Sequence, residues 1–297
     1  MNNKTCAVVV TYNRKTLLEQ ALTHPLQQTC PCDILVVDNA STDGTDELVK
    51  TFEDKRISYY NTGKNIGGAG GFNIGMRKAV EAGYKYVWVM DDDTFVQPDA
   101  LEQFFIADKK LNGEYGWFSS KALWTDGSIC EMNRQASIDR KAITDFSVDL
   151  IPARSGSFVS MFFRSTVIKE VGLPIKEFFI WADDLEYSLR ISRRNKCYVV
   201  TNSVVVHAMG DNSLHTYATL PPERIPRMFY STRNRFYIAR KFGLRSFCGY
   251  FKRWIRDFIK IILFSKSHRL QRISVLIKGM WAGLFFHPRV EYLQINK

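Results

Sequence analysis

Residues 5–11 (TCAVVVT) and 33–38 (DILVVD) are short, β-branched and almost continuously apolar. Runs without polar alternation fit strands covered on both faces, as in a parallel sheet. Between them Leu17, Leu18, Ala21 and Leu22 recur at helical spacing, and the turn-forming NASTDGTDEL then leads into a helix reaching about Asp54. ISYYN (57–61) reads as a third strand, FNIGMRKAVEAG (72–83) as a helix and YKYVWVMD (84–91) as a fourth strand. Strands alternating with helices in this way predict an α/β fold with a doubly wound, mostly parallel sheet flanked by helices. Residues 113–156 show no clear period. After them SFVSMFF (157–163) reads as a strand, STVIKEVG as a short helix ended by Gly172, LEYSLRISRRN as a helix and CYVVTNSVVVH (197–207) as a strand. From residue 225 onward, FYIARKFG, YFKRWIRDFIKIILF and ISVLIKGMWAGLFF interleave aromatic and aliphatic residues with Lys and Arg at roughly helical spacing.

Charge divides the chain. Residues 223–297 hold 17 Lys and Arg against three acidic residues (Glu223, Asp257 and Glu291), a net +14, so residues 1–222 carry a net −3. The expected organisation is therefore a near-neutral α/β domain over 1–222 and a basic, amphipathic helical extension over 223–297. A basic tail on a neutral domain reads as a docking surface rather than a nucleic-acid coat. Helices with aromatic and basic faces lie in a bilayer interface without spanning it; the alternative is that their apolar face packs on the main domain. No stretch approaches the roughly 18 apolar residues of a membrane span. The apolar run near the N-terminus is too short for an export signal. Six scattered Cys without a CxxC pair read as reduced, mostly core thiols. These features predict a cytoplasmic protein, peripheral at the inner face of the membrane.

In doubly wound sheets ligands sit at the carboxyl ends of the strands. The first strand ends in Thr11-Tyr12-Asn13-Arg14, the second in Asp38-Asn39, the third leads into GKNIGGAGG, and the fourth runs into Asp91-Asp92-Asp93. Carboxylates, glycine amides and an Arg on one edge suit a phosphorylated ligand with a divalent cation. Three adjacent carboxylates repel one another unless something neutralises them. In an extended stretch Asp91 and Asp93 point the same way while Asp92 turns aside. Hard oxygen ligands suit Mg²⁺ or Mn²⁺. Glycines ahead of a helix allow close backbone approach to phosphate or sugar oxygens. Asp38 can accept hydrogen bonds from a base or ribose, or simply form an Asx turn. The segment Trp181-Ala182-Asp183-Asp184-Leu185-Glu186 puts three carboxylates on a helix's first turn beside an aromatic ring, as a general base for a sugar hydroxyl requires; capping uses only one. His207, ending an apolar run, is as easily a packed residue as a ligand.

The order TYNR, VVDNASTDGT, a glycine-rich stretch, VMDDDTFVQPDAL, FFIWADDLEYSLR and VVVHAMG resembles an inverting family 2 glycosyltransferase with the GT-A fold, over about residues 5–240. NIGGAGGFNIGM with the triple Asp and WADDLE is most similar to bacterial galactofuranosyltransferases, and similar also to rhamnosyltransferases of that family. The resemblance implies nucleotide binding by Thr11, Tyr12, Arg14, Asp38, Asn39, Asn65, Asp91 and Asp92, with Gly70 and Gly71 along the donor sugar and diphosphate. It implies Mn²⁺ or Mg²⁺ on Asp91, Asp93 and His207, acceptor contact at Trp181 and Asp183, and Asp184 as catalytic base. Asp183 stands where the family commonly has Glu, which leaves it a rival base. RMFYSTRNRFYIARK is similar to the family's helical region after the catalytic domain.

The implied activity is transfer of galactofuranose from UDP-galactofuranose to a lipid-linked saccharide acceptor at the inner leaflet, in synthesis of a bacterial surface polysaccharide such as O-antigen or capsule. dTDP-rhamnose is the rival donor, and a homo-oligomer stays open. A nucleotidyltransferase would place its glycine-rich loop after the first strand, where TYNR stands here. A nucleic-acid-binding module leaves the acidic clusters unexplained, since they repel phosphates; no nucleic-acid partner is expected.

Overall fold

The computed structural model describes residues 4–293. In chain order it contains β1 (Thr5–Thr11), α1 (Lys15–Leu26), β2 (Asp33–Asp38), α2 (Thr45–Thr51), β3 (Ile57–Asn61), α3 (Gly67–Glu81), β4 (Tyr86–Asp91), β5 (Thr94–Val96), α4 (Ala100–Lys110), β6 (Phe118–Leu123), β7 (Ala136–Ser137), β8 (Leu150–Ser155), β9 (Met161–Arg164), α5 (Ser165–Val171), α6 (Asp183–Ser192), β10 (Tyr198–His207), α7 (Arg227–Lys241), α8 (Leu244–Phe264) and α9 (Arg269–Phe285).

One sheet runs in the order β3-β2-β1-β4-β9-β6-β10-β8-β7, with β5 paired to β10. β3, β2, β1 and β4 are parallel, β9 is antiparallel between β4 and β6, and β10 runs parallel to β6. The continuous apolar character of β1 has a direct cause: both its faces are covered. Cys6, Val8 and Val10 pack with Phe72 and Met76 of α3, whereas Ala7 and Val9 pack with Leu18 and Leu22 of α1. Register then fixes the edge. Thr11 lies opposite Asp38 and Val10 opposite Asp91, so the ends of β1, β2 and β4 meet at one level.

Several expectations shift. The glycine-rich stretch is not a loop before a helix, because α3 starts at Gly67, five residues earlier than its apolar spacing predicts. Gly70 and Gly71 are buried in its first turns; a Cβ on Gly71 would come within 2.5 Å of Val10 Cγ1, and one on Gly70 within 2.9 Å of Ile66. Gly71 thus serves close packing of α3 on β1 and Gly70 admits the Ile66 side chain, both from buried positions inside the helix and not from a flexible loop. The strand expected over 157–163 begins only at Met161, and the stretch 113–156 holds β6, β7 and β8. Four of the six cysteines are buried, Cys30 is partly covered and Cys248 is exposed.

The last three helices are not a detached tail. Met228 of α7, Ile261 of α8 and Leu276 of α9 share an apolar cluster with Ala218, Leu220 and Ile225, against which Trp181 packs. Tyr237 and Ile238 of α7 join Ile175, Phe178 and Leu189 of the α/β domain. The other face of α8 and α9 stays open, leaving Ile255, Ile259, Leu263, Ile277, Trp281 and Leu284 exposed. Among the described residues no helix is long and apolar enough to cross a membrane.

Candidate active site

Asp91 ends β4 and Asp93 begins the turn into β5, whose antiparallel pairing sets Thr94 opposite His207 at the end of β10. One ligand atom each from Asp91, Asp93 and His207 lie within 4.8 Å of one another. His207 Nε2 is 2.9 Å from Asp93 Oδ1, and its Nδ1 is 2.8 Å from Oδ1 of Asn133. An Asn oxygen only accepts, so Nδ1 carries a proton and Nε2 is the nitrogen presented to the carboxylates. Arg14 Nη1 reaches Asp92 Oδ1 at 3.1 Å and Asp93 Oδ2 at 2.5 Å, while Thr11 Oγ1 donates to Asp92 Oδ2 at 2.7 Å. Asp92 therefore does not turn aside: buried, it joins the end of β1 to the acidic turn. Asp91 makes no hydrogen bond or ion pair with any described residue and is the open carboxylate of the three.

Charge balance follows from these contacts. Burial, reinforced by Asp93, pushes Asp91 up to about 7. Burial likewise raises Asp92 to about 6 against the pull of Arg14. For Asp93 burial is outweighed by the bonds and charges of His207 and Arg14, which hold it at about 2. Burial opposes a charge on His207, yet the bond to Asp93 prevails and lifts it to about 10. Arg14 and a protonated His207 supply the positive charge of the cluster by itself; a cation would take the place of the Nε2 proton, leaving the Nδ1–H form that Asn133 selects. Two carboxylate oxygens and an imidazole within 4.8 Å, one carboxylate unpartnered, form a donor set that fits a hard divalent cation.

The remaining nucleotide candidates sit beside this turn. Asp38 is fully buried; Oδ1 accepts from Ser41 N (2.9 Å) and Ser41 Oγ (2.6 Å), and Oδ2 from the Tyr59 hydroxyl (2.6 Å). Its first partners are thus those of an Asx-type turn. Asn39 donates from Nδ2 to Gly67 O at 3.3 Å and keeps a buried Oδ1 without a partner. Asn65 is exposed, its Oδ1 accepting from Gly67 N at 2.8 Å, and Tyr12 is 43% exposed.

The second carboxylate group lies on the first turn of α6. Glu186 is taken up by a 2.9 Å ion pair with Arg190, which leaves Asp183 and Asp184. Burial and the charge of Asp184 push Asp183 well above the usual carboxylate range. Burial raises Asp184 to about 6, with the Leu185 amide (2.6 Å) and the Arg235 guanidinium pulling the other way. Asp183 is buried and Asp184 more open. The charge of Asp91 also acts on Asp183, which puts the two carboxylate groups within electrostatic reach of each other. Trp181 packs against the extension's apolar cluster.

Sequence reasoning did not find Asn133, which sets the His207 tautomer, or Asn234 and Arg233 of α7, which bond the backbone before Asp183. An Asn in an aperiodic stretch and an Arg-Asn pair in a basic helix carry no signal by themselves.

Residues 6–110 match the family described as Glycosyl transferase family 2. The chain is 25% identical over 274 residues to galactofuranosyltransferase GlfT1 of Mycolicibacterium smegmatis, covering 84% of this chain and 87% of that protein. It is 26% identical over 250 residues to dTDP-rhamnosyl transferase RfbF of Shigella flexneri, covering 81% of each. Its fold matches that of mannosyltransferase PcManGT from Pyrobaculum calidifontis, solved with GDP-Man and Mn²⁺, at a TM-score of 0.57 and 19% identity over 95% of this chain and 75% of that one. The sheet order, the acidic turn and these likenesses agree: residues 6–110 match glycosyltransferase family 2, most of the chain is similar to glycosyltransferases, and the fold is GT-A.

Proposed function

We propose that this glycosyltransferase moves galactofuranose from UDP-galactofuranose onto a lipid-linked saccharide, with inversion, during synthesis of a bacterial surface polysaccharide. The observation that supports the reaction type is two neighbouring carboxylate groups, a cation-fitted cluster at the sheet edge and Asp183–Asp184 on α6, near enough for the charge of Asp91 to act on Asp183. Similarity to GlfT1 supports the furanose donor; similarity to RfbF keeps dTDP-rhamnose as the second reading. Asp91, Asp93 and His207 would hold Mn²⁺ or Mg²⁺, which neutralises charge gathering on the departing nucleoside diphosphate.

The rest is chemistry of this chain. Thr11 and Asp92 tie the end of β1 to the acidic turn, and Arg14 keeps a partly exposed guanidinium there to counter the diphosphate. Asp184 is ionised at neutral pH yet more basic than an ordinary carboxylate. It removes the proton of the acceptor hydroxyl as that oxygen attacks the anomeric carbon and the bond to the diphosphate breaks. Asp183 beside it is the more buried of the two, so Asp184 is the carboxylate open to the acceptor. Trp181 offers the acceptor an aromatic edge.

The open face of α8 and α9 serves membrane docking at the inner leaflet. Leu263 and Trp281 are each 63% exposed, and Lys252, Arg256, Lys260 and Lys278 lie on the same two helices with Asp257 their only acid. Apolar side chains flanked by cations fit an anionic bilayer interface. Residues 223–297 then form a docking unit fused to a catalytic unit over 1–222.

The test is nucleotide release from purified protein with Mn²⁺ and a synthetic polyprenyl-diphosphate-linked saccharide, comparing UDP-galactofuranose, UDP-galactose and dTDP-rhamnose. Acceptor-dependent release from the furanose donor alone is expected. Release only from dTDP-rhamnose overturns the donor and keeps the mechanism.

A further inference from the structure

The backbone entering the Asp183–Asp184 turn is unusual. Phe179 (φ 64°), Trp181 (φ 64°) and Ala182 (φ 67°) are all left-handed, and none is a glycine. L side chains disfavour this conformation, and it persists only where the surroundings over-determine it. Two side chains of α7 provide that constraint from fifty residues downstream. Asn234 is fully buried, and its Nδ2 donates to the carbonyl oxygens of Phe178 (2.9 Å), Ile180 (3.3 Å) and Trp181 (2.9 Å). Arg233 Nη2 donates to Glu177 O at 2.6 Å and Phe178 O at 3.3 Å. Arg233 Nε and Nη2 also donate to Asn234 Oδ1 at 3.1 and 3.0 Å, so the amide is oriented with its NH₂ towards the three carbonyls. The last left-handed residue then starts the helix: Ala182 O accepts from Glu186 N at 3.0 Å.

The same segment touches the donor side. Phe179 O accepts from Ala69 N at 3.1 Å, and a Cβ on Gly67 would lie 2.1 Å from that oxygen, so only glycine at 67 admits the segment. Behind α7, Gly279 and Gly283 of α9 let the helices close; a Cβ at either would come within 2.8 Å of Phe229, Thr232 or Phe236. The left-handed segment is thus wedged between the start of α3 and a backed helix.

We propose that Asn234, oriented by Arg233, is a positioning residue of the reaction: it holds the segment that sets Trp181 and Asp184 at the acceptor side, so the first helix of the extension is part of the active site. This rests on the reading of Asp184 as base. A carboxylate displaced by even about 1 Å loses on the order of a hundredfold in rate.

The test uses the full chain with Asn234→Ala, Asn234→Asp, Arg233→Lys, Asn234→Ala/Ala182→Gly and Asp184→Asn. Hydrogen exchange, UDP binding with Mn²⁺ and acceptor-dependent release are measured together. Asn234→Ala should speed exchange at Ala69, Ile180 and Glu186 but not in β1. It should lower kcat about a hundredfold and change UDP affinity less than about threefold. Asn234→Asp, of the same shape but with an acceptor facing three carbonyls, should be at least as damaging. Adding Ala182→Gly, which takes φ 67° without steric cost, should return about tenfold. Arg233→Lys, with no fork to bridge Asn234 and the carbonyls, should cost about tenfold and serves if Asn234 variants fail to fold.

Wild-type kcat or exchange in Asn234→Ala or Asn234→Asp overturns the proposal. So does a loss of UDP binding in step with kcat, which marks a general folding role. Wild-type kcat in Asp184→Asn removes the base reading instead, with the exchange result still deciding the clamp.

Discussion

The donor side and the acceptor side of this active site are built in different ways. On the donor side the key groups lie at or just past strand ends: Thr11 closes β1 with Arg14 three residues on, Asp38 closes β2, Asp91 closes β4, and His207 closes β10. Parallel pairing brings the first three ends level and the antiparallel β5–β10 pairing adds His207, so the sheet itself assembles the cation-fitted cluster. On the acceptor side Asp183 and Asp184 follow a segment with three left-handed residues, in which the carbonyls of Phe178, Ile180 and Trp181 are held by Asn234 of α7. One side is fixed by short-range periodicity and sheet register, the other by side-chain to backbone bonds between segments more than fifty residues apart. The cation-fitted side should therefore tolerate changes in the extension that the acceptor side does not.

The largest expected effect is at the cluster. Asp93→Asn removes the carboxylate shared by Arg14 and His207 and should lower transfer by about three orders of magnitude, with loss of the response to added Mn²⁺. A titration of rate against Mn²⁺ checks this. If the variant keeps full activity without divalent cation, the cluster serves only the fold.

Next comes the pH profile. Asp184 must be ionised to accept a proton, and its pKa is raised to about 6, so kcat should rise with pH through about 6 and level above it. The same limb should vanish in the residual activity of Asp184→Asn. An acid limb near 4 would place the base in water rather than on the partly buried turn.

A smaller effect separates packing from ligand contact on the donor side. Gly71→Ala forces a Cβ to within 2.5 Å of Val10 and should cost about 1–3 kcal/mol of stability, read as a lowered denaturant midpoint. An unchanged midpoint with weakened donor binding would return the glycine to the donor site.

The smallest effect is at the open face of the extension. Leu263→Glu with Trp281→Glu should weaken binding to anionic vesicles at least about tenfold while leaving release with a water-soluble acceptor unchanged. Unchanged vesicle binding would mean that the face meets a protein.

The same contrast explains what could be read from the sequence. The runs at 5–11, 33–38, 57–61 and 84–91 yield β1 to β4 nearly to the residue, because burial on both faces leaves a continuous apolar signature. The acidic turn is legible because strand ends in such sheets face the ligand, whereas His207 reads equally as a packed residue and only the family resemblance sets it beside Asp93. β5, β7 and β8 are not: β5 has three residues and β7 two, and β8 mixes Pro152 and Arg154 into its pattern. The start of α3 is not legible because four glycines hide the helical period, although Gly71 lets the helix close on Val10 of β1 and Gly67 admits the backbone of Phe179. Asn133 and Asn234 act through hydrogen bonds to partners distant in the chain, and a lone polar residue has no period to betray it.

The central claim is that two carboxylate groups share one site and divide its labour. The most direct measurement is UDP binding with Mn²⁺ by calorimetry, alongside acceptor-dependent UDP release, in Asp93→Asn and Asp184→Asn. The account predicts that Asp93→Asn loses Mn²⁺-dependent UDP binding and transfer together, whereas Asp184→Asn keeps UDP binding within about threefold and loses transfer by about a thousandfold. Asp184→Asn losing UDP binding as Asp93→Asn does, or transferring sugar at the wild-type rate, would contradict it.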